Sequence, residues 1–101
     1  MEIVSLSTAP KVPFTFAGYI MHSSSSLEVI HLCLQPGQDI PLHANKFDVV
    51  VSLIKGEVTL YVGENKTMLE LYDTVEIGKK LDRGFANYGT KEARLIIMKK
   101  L

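Results

Sequence analysis

The chain has 101 residues, of which 47% are hydrophobic, and this length suits one small globular domain with a single core. Eleven basic and eleven acidic residues cancel, so no net field attracts nucleic acid or an anionic membrane, and we expect neither as a partner. Cys33 is the only cysteine, which excludes an intrachain disulfide and a cysteine-rich zinc site. No signal sequence is visible and no run approaches the roughly eighteen apolar residues of a membrane span. The sequence therefore predicts a cytoplasmic protein.

Short apolar runs separated by turn residues follow one another along the chain, and no segment keeps a helical period. This pattern is typical of an antiparallel sandwich or barrel. The serine patch from Ser23 to Ser26 indicates a hairpin loop, not a linker between domains. We therefore predict one domain over residues 1–101, with strands at Ile3 to Leu6, Phe14 to Met21, Leu27 to Leu34, Phe47 to Ile54, Glu57 to Val62, Thr67 to Leu71, Thr74 to Ile77, Arg83 to Tyr88 and Ala93 to Lys99.

Alternation along the predicted strands indicates which faces are buried. The strand from Glu57 to Val62 has one apolar face and one polar face. The segments from Val49 to Ile54 and from Arg94 to Met98 are apolar on both faces, so their outer face needs a cover. We expect a partner subunit, which would make the protein a homodimer. The alternative is that the N-terminal strands fold across that face within one chain.

Two longer frames of spaced residues lie in the middle of the chain. The first runs from Gly37 through His43, Asn45 and Val49 to Gly56, and the second from Tyr72 through Gly78, Lys80 and Arg83 to Asn87. Their spacing resembles that of the two cupin motifs, G-x(5)-H-x-H-x(3)-E-x(6)-G and G-x(5)-P-x-G-x(2)-H-x(3)-N. Together with the segment between them, the two frames cover half of the chain. The resemblance implies a small single-domain cupin, with an all-β fold built as an antiparallel double-stranded β-helix, or jelly-roll barrel.

The metal ligands of the family are the least well kept part of these motifs. In cupins, two histidines and a glutamate of the first motif and a histidine of the second hold a divalent metal inside the barrel. The matching positions here are His43, Asn45, Val49 and Arg83, so only His43 keeps the ligand type. Valine has no donor atom, and a guanidinium repels a cation. Because catalytic metal sites use about three protein ligands, we predict a degenerate site with no metal and no other cofactor.

Neighbouring residues do not replace the missing ligands in this prediction. The side chain of Asp48 is expected on the opposite face of the strand from that of Val49. We expect His22 to be solvated at a loop edge, and His31 to share a face with Cys33, which is itself expected to be a small buried hydrophobic residue.

Arg83 places a permanent positive charge where the family keeps a metal ion. Inside the barrel it would need a carboxylate, carbonyls, water or a bound anion. We predict that His43, Asn45, Arg83, Phe85 and Asn87 bind the carboxylate or phosphate of a small ligand, because a guanidinium suits bidentate anions. In the alternative, Arg83 lies at the barrel mouth, in water or paired with Asp82 or Asp73. Phe85 would then fill the core, and Asn87 would be structural.

Three functions remain open at this point. The one we adopt is a metal-free cupin that binds a small anionic or sugar-like ligand. The second is a structural, dimerising barrel whose interior is sealed by Val49, Val51, Leu53 and Phe85. The third is a metal-independent enzyme of the isomerase or epimerase type with His43 as its base. Whether the protein is an enzyme stays open, and we assign no catalytic residue.

Overall fold

Nine antiparallel strands in two facing sheets make up the computed structural model, which describes all residues from 1 to 101. The strands are β1 (Ala17–Ser23), β2 (Leu27–Leu34), β3 (Asp39–His43), β4 (Asp48–Lys55), β5 (Val58–Val62), β6 (Asn65–Leu69), β7 (Thr74–Ile77), β8 (Arg83–Ala86) and β9 (Ala93–Lys100). One sheet has the order β1, β2, β9, β4, β7, and the other has the order β3, β8, β5, β6. The chain crosses repeatedly between them, which confirms the predicted jelly roll. No helix in the structure is long and apolar enough to cross a membrane.

Alternate side chains of the strands meet between the two sheets and form one core. β4 and β9 contribute side chains to this core, and their inner-facing residues, such as Val51 and Leu95, are fully buried. The core contains Leu32, Leu34, Val49, Val51, Leu53, Val58, Leu60, Leu69, Ile77, Phe85, Ala93 and Leu95. The outward residues of the same strands are only half-buried, so the period of two that predicted the strands also assigns their faces.

The strand prediction was wrong in two places. Ile3 to Leu6 forms no strand, because the Ser5 carbonyl accepts the backbone N–H groups of Thr8 at 3.1 Å and Ala9 at 2.9 Å, which closes a turn. The sequence analysis also missed β3, which has little apolar alternation and contains Pro41. β3 is an edge strand that pairs only with β8, and an edge is where a sheet tolerates proline. The other eight predicted strands each overlap an observed one.

The outer face of the five-stranded sheet carries an apolar patch at its centre. Val29, Met98 and Val50 stand opposite one another on β2, β9 and β4, and Ile96 follows on β9. The N-terminal residues do not cover this patch. Their apolar side chains, Val12, Phe14 and Phe16, line a cavity on the inner side instead, so the alternative in which N-terminal strands cover the outer face was wrong. The homodimer stays a prediction.

Candidate functional site

A cavity of about 450 Å³ lies between the two sheets. Its walls come from the inner faces of β2, β4 and β9 on one side and from β3 and β8 on the other. The apolar lining consists of Val12, Phe14, Phe16, Ile30, Leu32, Ile40, Pro41, Val49, Val51, Phe85 and Ile97, and the polar lining consists of Glu28, His43, Asn45, Arg83 and Lys99. Val49, Val51 and Phe85 therefore line a cavity, which contradicts the alternative of a barrel whose interior they seal.

Arg83, the first residue of β8, is only 2% exposed. Its Nη1 donates to the carbonyls of Ile77 at 3.2 Å and Gly78 at 3.3 Å, and its Nη2 donates to the carbonyl of Phe47 at 2.7 Å. Neither Asp82 nor Asp73 pairs with it, so the alternative that places Arg83 in water or beside these aspartates was wrong. Burial lowers the pKa of Arg83, and the nearby carboxylate of Asp48 opposes this shift.

The guanidinium of Arg83 is not saturated by these three bonds. A guanidinium has five N–H groups, so at least two of them, including that of Nε, have no acceptor within the protein. No side-chain carboxylate forms an ion pair with it. The cavity wall thus holds a buried cation with spare donors.

β3 and the loop after it bring His43 and Asn45 to the same cavity. His43 stands directly opposite Arg83 in the pairing of β3 with β8. Its Nδ1 lies 2.9 Å from the Pro41 carbonyl, which can only accept, so Nδ1 carries a proton and, in the neutral ring, Nε2 has the lone pair. The Asn45 side-chain oxygen accepts the Phe47 N–H at 3.2 Å, which leaves the amide NH₂ group as a donor.

The remaining two predicted ligand residues have different surroundings. Phe85 is 3% exposed and belongs to the core, and it also lines the cavity. Asn87 is buried but does not reach the cavity. Its amide nitrogen donates to the carbonyls of Leu34 at 2.9 Å and Lys91 at 2.8 Å, and its oxygen accepts the Gly89 N–H at 2.9 Å. Since these backbone groups use its amide, Asn87 serves the fold, and the prediction of a ligand contact needs correction.

The sequence analysis missed two charged residues of the cavity, Glu28 and Lys99. They face each other across β2 and β9, and Lys99 Nζ lies 3.6 Å from Glu28 Oε1. Strand alternation could have identified both. Glu28 continues the inward series of Ile30 and Leu32 on β2, and Lys99 is two residues beyond the inward Ile97 on β9.

The donor set at the four cupin ligand positions does not fit a divalent metal. His43 and the already bonded oxygen of Asn45 are the only neutral donors, Val49 has none, and Arg83 is a cation. Elsewhere in the structure, no group of three or more histidine, cysteine, aspartate or glutamate side chains is arranged to hold a metal ion. Divalent transition metals need a larger set of imidazole, thiolate or carboxylate ligands than this.

A second polar cluster, on the outer face, contains Cys33, His31, Glu92 and Arg94. Burial raises the pKa of the Cys33 thiol to about 11, and its 3.0 Å hydrogen bond to Glu92 adds to the effect. The pKa of Glu92 is lowered, first by its hydrogen bonds with Arg94 and then by those from Cys33 and Lys55. His31 Nε2 accepts a hydrogen bond from Arg94 at 3.0 Å. This cluster is on the far side of the sheet from the cavity.

Solved structures with the same fold include RmlC-like cupins. A predicted oxalate decarboxylase from Thermotoga maritima superposes with a TM-score of 0.88 at 12% identity, over 100% of this chain and 99% of that one. An RmlC-like cupin from Shewanella frigidimarina gives 0.87 at 14% identity, over 99% and 90%. A protein from Thermus thermophilus gives 0.84 at 25% identity, over 99% and 97%. The chain thus has the cupin fold.

The sequence itself identifies a family within this fold. Residues 6–76 match the family described as auxin binding protein, which is 71 of the 101 residues. The chain therefore belongs to the auxin binding protein family. No curated protein matches the sequence.

Proposed function

We propose that this protein binds a small organic anion with an apolar body inside the cavity, without a metal. The observation that supports the proposal is Arg83, a cation that is 2% exposed, lies in the cavity wall and has no carboxylate partner. Three carbonyls offset part of the cost of its burial, and an anion would offset more. The spare N–H groups of Arg83 suit the oxygens of a carboxylate.

The cavity walls favour an apolar body on this anion. A volume of about 450 Å³ falls within the range of about 300 to 1,000 Å³ that is usual for small-molecule sites. Phe16, Ile40 and Phe85 line it together with other apolar residues, and they offer no partners for the many hydroxyls of a sugar. The family name gives auxin as a ligand of its members, and an auxin such as indole-3-acetate joins an aromatic body to one carboxylate.

Calorimetric titration with matched pairs of acid and amide tests this proposal. The pairs are phenylacetate with phenylacetamide and indole-3-acetate with indole-3-acetamide, titrated with and without a chelator. We expect at least one acid to bind about tenfold or more tightly than its amide, because the amide leaves the Arg83 charge uncompensated. Chelation should leave the affinity unchanged.

Arg83→Gln should abolish the preference for the acid, whereas Arg94→Gln, on the outer face, should preserve it. Equal affinities for acid and amide, loss of binding on chelation, or an unchanged preference in Arg83→Gln would each overturn the proposal. Failure of every probe to bind would overturn it as well.

One observation favours a second candidate, a metal-independent isomerase or epimerase. The Pro41 carbonyl holds His43 in the tautomer with a free Nε2, which is the form that a general base requires. A carbonyl stabilises the protonated ring less than a carboxylate would, which is why binding is the first proposal. Nuclear magnetic resonance would detect exchange of the α-protons of a bound acid in heavy water. This exchange should disappear in His43→Gln if His43 is the base.

A further inference from the structure

We infer that the ion pair of Glu28 and Lys99 in the cavity wall selects the charge of the ligand, so that the cavity prefers a monoanion to a dianion. This inference rests on the proposed function, because it concerns the same cavity. It adds two residues outside the cupin motif frames and a class of ligand, the monocarboxylates.

One cross-strand row places the charges of the cavity. Ile77 on β7, Val49 on β4, Lys99 on β9 and Glu28 on β2 stand directly opposite one another in that order. Adjacent strands are about 4.8 Å apart, so Lys99 is the immediate neighbour of Val49 on one side. On the other side, Arg83 bonds the Ile77 carbonyl. The apolar Val49 therefore lies between two cations.

The distances within this row leave Lys99 free to bind a second anion. Its Nζ is 3.6 Å from the Glu28 carboxylate, which is longer than the roughly 2.7 to 2.9 Å of a strong charge-assisted hydrogen bond. The ammonium also has three N–H donors. A ligand carboxylate above Val49 would thus find donors from Arg83 on one side and from Lys99 on the other.

The balance of charge around Val49 favours one negative charge on the ligand. Among the residues that line the cavity, Arg83 and Lys99 contribute two positive charges and Glu28 one negative charge, and His43 is the only other titratable residue. The Asp48 carboxylate, which also acts on Arg83, does not line the cavity and accepts the Lys79 N–H at 2.9 Å. The side chains of Lys99 and Glu28 are 26% and 24% exposed, so solvent screens them only in part. A monoanion balances the excess positive charge, whereas the second charge of a dianion meets Glu28 without a counterion.

Two probes with the same body test this inference, namely 3-phenylpropanoate and benzylmalonate, which carries one further carboxylate. By calorimetry at neutral pH, the unaltered protein should prefer 3-phenylpropanoate by about tenfold or more. Glu28→Gln keeps the size of the side chain and removes its charge. We expect it to reduce this preference by about tenfold or to invert it. Glu28→Asp keeps the charge and should keep the preference, and Lys99→Met should weaken the binding of both probes.

The outer face supplies matched controls. Glu76 on β7 and Lys100 on β9 form another glutamate–lysine pair, which spans β4 at 2.6 Å, and neither residue lines the cavity. Glu76→Gln and Lys100→Met make the same changes of net charge and should leave the preference unchanged. Melting curves of each variant establish that it is folded.

The outcomes separate this inference from the proposed function. If 3-phenylpropanoate binds and Glu28→Gln leaves the preference unchanged, the inference is wrong and the anion site stands. Equal binding of the two probes by the unaltered protein also overturns the inference alone. If neither probe binds to any variant, both fail.

Discussion

Arg83 joins the ends of two strands at the point where the cupin motif has a metal-binding histidine. Its guanidinium bonds the carbonyl of Phe47, just before β4, and the carbonyls of Ile77 and Gly78, at the end of β7. All three carbonyls lie at strand ends, and that of Gly78 also accepts the Leu81 N–H at 3.1 Å. One side chain therefore stabilises the loops and supplies the positive charge of the cavity.

Replacing Arg83 by methionine should destabilise the fold. The change removes the Arg83 donor from the carbonyls of Phe47, Ile77 and Gly78, of which Gly78 keeps the Leu81 N–H. A buried polar group that loses its partner costs about 1 to 3 kcal/mol. Because the Gly78 carbonyl keeps a donor, we expect a total loss of about 2 to 4 kcal/mol in the free energy of unfolding, measured by urea denaturation. Lys55→Met breaks the exposed pair with Glu92 and should cost about 1 kcal/mol or less. Equal losses in the two variants would contradict this account.

His31 should make the stability depend on pH in the acidic range. Burial lowers the pKa of His31, the Arg94 guanidinium lowers it further, and Glu92 acts in the opposite direction. Tyr19 is the other titratable group that contacts the ring. Because the unfolded chain binds the proton more readily, the stabilisation is complete above the ordinary histidine pKa of about 6.5. It is lost as the pH falls below that value and through the pKa of the folded state.

Melting temperatures between pH 5 and 7.5 test this dependence. The unaltered protein should lose more stability on acidification than His31→Gln, whose side-chain oxygen can still accept from Arg94. His22→Gln, at an exposed position, should behave like the unaltered protein. Parallel curves for His31→Gln and the unaltered protein would show that His31 does not carry the effect.

At the scale of elements, β3 and β8 form one wall of the cavity. The sequence predicted β8 but not β3. β8 was predicted because Phe85 and its neighbours are apolar, and the motif frame identified Arg83 within it. β3 was missed, although the first motif frame identified its His43, because Pro41 and two exposed residues, Asp39 and Leu42, conceal its period. Motif spacing thus locates positions along the chain even where a strand is not recognised.

Hydrogen bonds between residues that are distant in sequence could not be predicted. Asn87 bonds the Leu34 carbonyl 53 positions away, and Arg83 bonds the Phe47 carbonyl 36 positions away. Backbone carbonyls are present at every residue, so no side-chain pattern marks the ones that will accept these bonds. The motif frame gave the two positions correctly, but only the folded chain separates the structural role of Asn87 from the cavity role of Arg83.

Gly84 sets the distance between β3 and β8. A Cβ atom at this position would lie 2.6 Å from the Ile40 carbonyl oxygen and 2.9 Å from the Leu42 nitrogen, both backbone atoms of β3. Gly84→Ala should therefore push β3 outwards and cost about 1 to 3 kcal/mol in urea denaturation. It should also weaken the binding of 3-phenylpropanoate, because β3 carries His43. A Cβ at Gly78 would meet nothing within 4 Å. Gly78→Ala is therefore the control and should change neither the stability nor the binding of 3-phenylpropanoate. Equal stability and equal ligand affinity of the two variants would contradict the idea that Gly84 sets the distance between β3 and β8.

At the scale of the whole molecule, the cavity and the apolar outer patch lie on opposite faces of the same sheet. The patch of Val29, Val50, Ile96 and Met98 is only half-buried within the chain itself. Charged residues of both signs flank it, with Lys55, Glu92 and Arg94 towards one end and Glu76 with Lys100 towards the other. A second copy related by a twofold axis would bury the apolar centre and could pair these charges. We propose this homodimer, in which the cavity stays accessible to ligand.

Light scattering coupled to size exclusion tests the dimer. The unaltered protein should have twice the 11.2 kDa mass of the chain, and Ile96→Glu should have the mass of one chain, because an isologous interface would bury the two new carboxylates without partners. Met68→Glu is the control, since Met68 is 57% exposed on the other sheet, and it should remain dimeric. A monomeric unaltered protein, or a dimeric Ile96→Glu, would mean that this patch is not the interface.

Because the patch and the cavity occupy opposite faces of the sheet, folded Ile96→Glu should bind 3-phenylpropanoate as tightly as the dimer does. This result would show that ligand binding does not depend on assembly.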